Sequence, residues 1–131
     1  MAARELGLLG FRVLNRNVYT CFGELDILAE KDGVLHFFEV RYKSGPAYGL
    51  PKESITKKKL LRMKKVMQYL MKKYGPGNHC QLGLISFCKM CGDFTGGEVH
   101  QVPVDEHYVK KDIDFEGIRC RMEIYTALEA P

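Results

Sequence analysis

The dipeptide Asp32-Gly33, set between two apolar-rich runs, constrains this chain more than any other feature. Both residues tolerate the positive φ that a two-residue hairpin turn demands, so the stretch from Phe22 to Lys43 reads as a β-hairpin. With those residues as the loop, Lys31 pairs with Val34 and the register runs outward by constant sum. Asp26 then falls opposite Glu39, and Glu24 opposite Arg41.

Directly opposed residues of an antiparallel pair share a face, with Cβ atoms roughly 4.5–5.5 Å apart. Glu24, Asp26, Glu39 and Arg41 are therefore expected as one cluster, with Leu28, Leu35 and Phe37 on the same face toward the turn. Leu25, Ile27, Ala29, Val34, Phe38 and Val40 are expected on the opposite face. Like charges that close destabilise a hairpin unless a cation, a shared proton or a basic group lies between them. Two arrangements relieve the repulsion. A hard divalent cation such as Mg²⁺ takes one or two protein carboxylates and leaves its other positions to water and phosphate. Alternatively, Arg41 pairs with Glu39 or Glu24 in a salt network that needs no metal.

Charge is unevenly spread along the 131 residues. Residues 1–50 balance, residues 51–91 hold ten basic side chains against one acidic, and residues 92–131 hold four basic against nine acidic. The middle segment is the footprint of a polyanion partner. The run from Pro51 to Tyr74 reads as a long helix, with Leu60, Met63, Met67, Leu70 and Tyr74 as its apolar stripe and Ser54 or Thr56 as its cap. Its cations include Lys57, Lys58, Lys59, Arg62 and Lys65, and Lys64, Lys72 and Lys73 widen the basic surface. Like charges three and four apart repel by about 0.2–0.5 kcal/mol per pair, which a phosphate backbone would relieve. Gly75-Pro76-Gly77 ends the helix.

Ala2 to Leu9 reads as a short helix closed by Gly10, and Phe11 to Asn15 as a first strand. Asn15-Arg16-Asn17 is expected to bend the chain before Tyr19 to Phe22 enters the hairpin. Tyr48-Gly49-Leu50-Pro51 is a loop. Gln81 to Cys88 reads as a fourth strand, and Glu98 to Val104 as a fifth that closes a second hairpin across the turn-rich Gly92 to Gly97. The order predicts an α/β fold, a mixed sheet of about five strands flanked by helices, forming one domain over 1–131. Residues 105–131 are an acidic extension without clear period, in which Arg121 to Leu128 is a helix or an added edge strand.

No apolar run reaches the roughly 18 residues that a transmembrane helix needs, and no secretory signal layout is visible, so a cytoplasmic protein without membrane contact is expected. Five cysteines, an odd number, favour reduced thiols. Cys88-Lys89-Met90-Cys91 has zinc-knuckle spacing beside His79 and Cys80. It lacks the second pair that a closed four-ligand site needs, so zinc is not expected.

The ordered combination of GELDILAE, FFEVRYKS, YG and ESITKKK, over residues 2–87, resembles the YraN family of small bacterial proteins, related to Holliday junction resolvases. The resemblance implies a restriction-endonuclease-like fold of the PD-(D/E)xK kind, and with it a Mg²⁺- or Mn²⁺-dependent endonuclease acting on branched or structured DNA. It implies that Asp26, Glu39 and the main-chain carbonyl of Val40 hold the ion. Arg41 stands where the family pattern has Lys, with Lys43 two residues on, and Glu24 backs Arg41. Relatives of the resolvase kind act as dimers, which makes a homodimer an option here. Three departures bear on activity. A guanidinium cannot act as a general base. The Glu of the family's first helix is expected to be missing, with Glu5 as a candidate replacement. The Asp of the family's Arg-Phe-Asp-Val is also missing, because Gln81-Leu82-Gly83-Leu84 stands there. The same residues are therefore also compatible with an inactive nucleic-acid-binding or adaptor module.

Overall fold

The computed structural model describes residues 2–43, 55–74, 79–89, 101–105, 108–115 and 117–128. Helix α1 (Ala2–Leu8) is followed by β1 (Arg12–Thr20), β2 (Gly23–Lys31) and β3 (Val34–Lys43), then by helix α2 (Lys57–Tyr74) and β4 (His79–Lys89). Three further strands complete the order: β5 (Gln101–Asp105), β6 (Tyr108–Phe115) and β7 (Ile118–Tyr125). They form one mixed seven-stranded sheet in the order β1-β2-β3-β4-β7-β6-β5. Only β3 and β4 run parallel, because α2 carries the chain back between them.

The expected hairpin is present. Asp32 and Gly33 form its turn at φ 51° and 78°, and Cα partners run from Lys31 and Val34 to Ile27 and Phe38. One layer of core lies on the α1 side, where Ala2, Leu6, Phe11, Ile27, Ala29, Phe38, Ile85, Phe87, Met122 and Ile124 pack. The second lies under α2, where Leu25, Leu28, Leu35, Phe37 and Leu82 meet Val66 and Leu70. Leu60, Met63 and Met67 join this layer as expected, while Val66, absent from the expected stripe, is its most deeply buried helical residue together with Leu70.

Leu25 corrects one expectation. It packs beneath α2 with Leu28, although Ile27 between them faces the other layer. Strict alternation would put Leu25 with Ile27, so β2 changes face at Asp26. Its neighbour does the same: Arg16 pairs with Ile27 and Val18 with Leu25, while Asn17 takes φ 51° between them. Asn tolerates that left-handed conformation better than most residues. The bend expected at Asn15-Arg16-Asn17 is thus a step within one nine-residue strand, not a break between two.

Other boundaries shift. Among the described residues α2 begins at Lys57, where the Thr56 hydroxyl accepts from the Lys59 amide at 3.1 Å and the Thr56 carbonyl accepts from Leu60. Thr56 is therefore the cap. The expected β4–β5 hairpin does not form: β4 pairs with β7, and β5 pairs with β6 at the sheet edge. The acidic extension is neither a helix nor an added edge. Its β6–β7 hairpin puts Ile124 and Met122 into the core at 0% exposure, and Leu128 donates to the Leu82 carbonyl at 2.8 Å. The loop Tyr48–Pro51, the Gly75-Pro76-Gly77 stop, the turn at 92–97 and Cys91 lie outside the described residues. No helix among the described residues is long and apolar enough to cross a membrane.

Candidate functional site

The site expected from the hairpin lies where β2 and β3 stop pairing. Beyond Ile27 and Phe38 the constant-sum register would bring Asp26 opposite Glu39. Instead Asp26, at the step in β2, directs its carboxylate toward the main chain of β3, and Oδ2 accepts the Val40 amide proton at 2.7 Å. Glu39 remains on the α2 side and meets Lys59, whose ammonium lies 2.8 Å from Oε1. The like-charge repulsion foreseen between the acids is thus relieved by two separate partners: a main-chain donor for one and a lysine from α2 for the other.

The two acids border different hollows. Glu24 and Glu39 line a gap under α2 with Leu25, Phe37, Met63, Val66 and Leu82, about 10 Å³ in volume. That is room for about one water molecule. Asp26 lines an open recess of about 220 Å³ with Arg16, Asn17, Val40 and Tyr42, walled by Ala2 and Ala3 of α1. Only the Asp26 side has space for a hydrated ion or a phosphate. The single four-residue cluster expected on one face is corrected for Asp26, which lines a different hollow from Glu24 and Glu39; Glu24 is exposed, and Arg41 is half-buried on the same strand as Glu39. Lys43 is the last residue of β3.

The donors suit a hard cation in kind, since carboxylate and main-chain oxygens are what Mg²⁺ prefers. Asp26 keeps Oδ1 beyond its bond to Val40, whereas Glu39 would have to leave Lys59. Among the described residues no group of three or more His, Cys, Asp or Glu side chains converges in a way that could hold a metal. An ion in the recess would rest on the Asp26 carboxylate, the main chain and water, and Glu39 would have to turn from its own gap to reach it.

Glu5, the candidate replacement ligand, has Lys111 as its partner. It is buried in α1, and its Oε2 is 2.7 Å from Lys111 Nζ of β6. At Gly83, where the family pattern has Asp, a side chain has no space: a Cβ there would stand 2.6 Å from the Phe38 ring and 2.7 Å from the Tyr125 carbonyl oxygen. Sequence reasoning missed Arg16 and Asn17 as walls of the Asp26 recess, although the bend expected at that tripeptide was the signal for them.

The cationic helix lies beside this region. Lys57, Lys58, Arg62 and Lys65 are exposed, whereas Lys59 is half-buried against Glu39. The 18 residues of α2 include no Asp or Glu. Gly23 explains how closely the helix approaches the hairpin: its φ of 147° suits glycine, and a Cβ there would lie 3.3 Å from Arg62 Cδ.

The family model described as "Uncharacterised protein family UPF0102" matches residues 1–90. The chain belongs to this family. UPF0102 is the YraN family that the motifs resemble, and it is nuclease-like. A UPF0102 protein of Persephonella marina is 42% identical over 78 residues, 59% of this chain and 67% of the relative. One from Pelotomaculum thermopropionicum is 42% identical over 86 residues, covering 65% and 72%. A third, from Wolinella succinogenes, is 47% identical over 75 residues, covering 53% and 67%. The UPF0102 match takes in α1 to β4 and with them Asp26, Glu39 and the cationic helix. Strands β5 to β7 lie beyond it.

Proposed function

We propose that this protein binds nucleic acid, DNA in the first instance, through the exposed cationic face of α2, on a scaffold of nuclease ancestry. The observation that carries this reading is the helix itself: Lys57, Lys58, Arg62 and Lys65 stand in solvent on an element without a single acid. Contacts of this kind give affinity and register on the phosphate backbone but no choice of sequence.

The same reading extends to a Mg²⁺- or Mn²⁺-dependent endonuclease. Asp26 and the main chain of Val40 would hold the ion in the recess they line, and Glu39 would join them only by leaving Lys59 and the gap under α2. Such an ion, when bound, lowers the pKa of a water and withdraws charge from a phosphate. The chain's own groups have distinct parts. Val40 N–H fixes one oxygen of Asp26 and so orients the other. Lys59 neutralises Glu39 until a phosphate draws the ammonium away. Arg41 and Lys43 hold phosphate oxygens, and Glu24 backs Arg41.

A second reading has its own support. Both carboxylates already have partners, at 2.7 Å and 2.8 Å, as they would in an inactive binding module built around a salt network. Incubating the protein with branched and linear DNA in Mg²⁺ or Mn²⁺ separates the two. Cleavage that disappears in Asp26→Asn supports the enzyme, and DNA that is retarded but intact supports the module. If neutralising Lys57, Lys58 and Lys59 leaves DNA retention unchanged, neither reading survives.

A further inference from the structure

The exposed face of α2 is not purely cationic. Lys58, Arg62, Lys65, Tyr69 and Lys72 follow one another at steps of four, three, four and three, which places them along one stripe of the helix. All five are exposed. Tyr69 interrupts the cations, and its ring meets that of Phe22 edge to face with centroids 5.9 Å apart. Phe22 belongs to the β1–β2 turn and immediately precedes Gly23, over which the stem of Arg62 passes.

The plain explanation is a clasp that fastens the turn to the helix. It accounts for the contact but not for the exposure: Phe22 remains 46% exposed and Tyr69 48% while touching each other. Clasping apolar side chains gain by leaving water, and these leave only half of it. Isolated exposed aromatics are ordinary. An aromatic pair set within a line of phosphate-binding side chains is the arrangement that single-strand binders use, with cations tracking the backbone and rings receiving bases.

We infer that Phe22 and Tyr69 form a stacking platform for an unpaired base, and that the nucleic acid preferred by α2 is single-stranded DNA or the single-stranded part of a branched molecule. This rests on the proposal that α2 binds DNA and adds to it the class of substrate. A base in a duplex is already stacked on its neighbours and offers its face to neither ring, so the platform acts on unpaired DNA alone.

The test compares labelled single-stranded and duplex oligonucleotides with equal numbers of phosphates by fluorescence anisotropy. Substituting Phe22→Leu and Tyr69→Leu together is expected to weaken single-strand binding about ten-fold, or about 1.4 kcal/mol, and to leave duplex binding within about two-fold. Substituting Lys58, Arg62 and Lys65 by Ala weakens both. A single strand carrying 2-aminopurine adds a measurement on the unaltered protein, in which stacking quenches the probe. Equal losses on both DNAs, an unchanged single-strand affinity, or an unquenched probe in a formed complex overturns the platform while leaving DNA binding by α2 intact. Failure of the unaltered protein to bind either DNA overturns the DNA-binding proposal and the platform with it.

Discussion

Lys59 holds Glu39, its ammonium 2.8 Å from Oε1, so the helix that faces solvent with most of its cations lends one of them to the sheet. The pair is partly open to solvent, with the lysine side chain 34% exposed and the glutamate 18%. Its net contribution to stability is accordingly modest, about 1 kcal/mol or less. Lys59 also competes with any cation drawn to Glu39. Lys59→Ala is expected to tighten Mn²⁺ binding, read by electron paramagnetic resonance as loss of the free-ion signal, with little change in melting temperature. Mn²⁺ affinity equal to that of the unaltered protein would show that Glu39 takes no part in holding an ion.

Glu5 and Lys111 are the opposite case. They meet at 2.7 Å with side chains 10% and 14% exposed, tying α1 to β6. Removing one partner strands a charge in the core, at a cost of about 3 kcal/mol or more. Lys111→Met should therefore lower stability in urea unfolding by more than the double change Glu5→Gln with Lys111→Met.

At Gly83 the Phe38 ring and the Tyr125 carbonyl leave no room for a methyl group. Gly83→Ala should destabilise by about 1–3 kcal/mol through overpacking. Gly83→Asp, which would restore the family pattern, should be worse, since it adds a buried charge without a partner. Combining Gly83→Ala with Phe38→Leu should recover part of the loss if the clash with the ring is its cause.

Tyr108 and Tyr125 pack on adjacent strands with rings tilted by 43° and centroids 4.8 Å apart, and Tyr125 O–H donates to Glu123 at 3.2 Å. Burial, and then the charge of Glu123, pushes Tyr108 up to about 12 and Tyr125 upward as well. The unfolded chain releases these protons near the ordinary value of about 10, while the folded chain keeps them. Their contribution is complete below about pH 10 and is lost as pH climbs toward 12. Melting temperature should fall across that interval, and Tyr108→Phe with Tyr125→Phe should flatten the fall.

The hairpin was legible because its determinants are local: two turn residues fix the register of everything between Ile27 and Phe38. The step at Asn17 and Asp26 was not, because it depends on both strands changing face together, and the sequence offers only a bend at Asn15-Arg16-Asn17. The cap at Thr56 was one of two readable options, and the helix chose the one whose hydroxyl reaches Lys59 N. Strands β6 and β7 were hidden for a different reason. Lys111 sits on the core side of β6 and breaks its apolar alternation, and the acid that makes this tolerable is 106 positions away. Nothing in the local pattern of residues 105–131 discloses such a partner. Among the candidate residues, Glu24 and Asp26 lie on β2 and Glu39 and Arg41 on β3, the strands the hairpin assigns them. The direction of the Asp26 side chain required knowledge of where the ladder opens.

The place of β7 has a consequence for how the molecule is made. When the ribosome has produced everything through Lys89, the long edge of β4 has no neighbour on its far side, and that neighbour, Ile118–Tyr125, is still to be synthesised. The nascent chain must carry an open apolar strand until its last segment emerges and threads into the gap, a period in which chaperones or other unfinished copies compete for the same row of peptide groups.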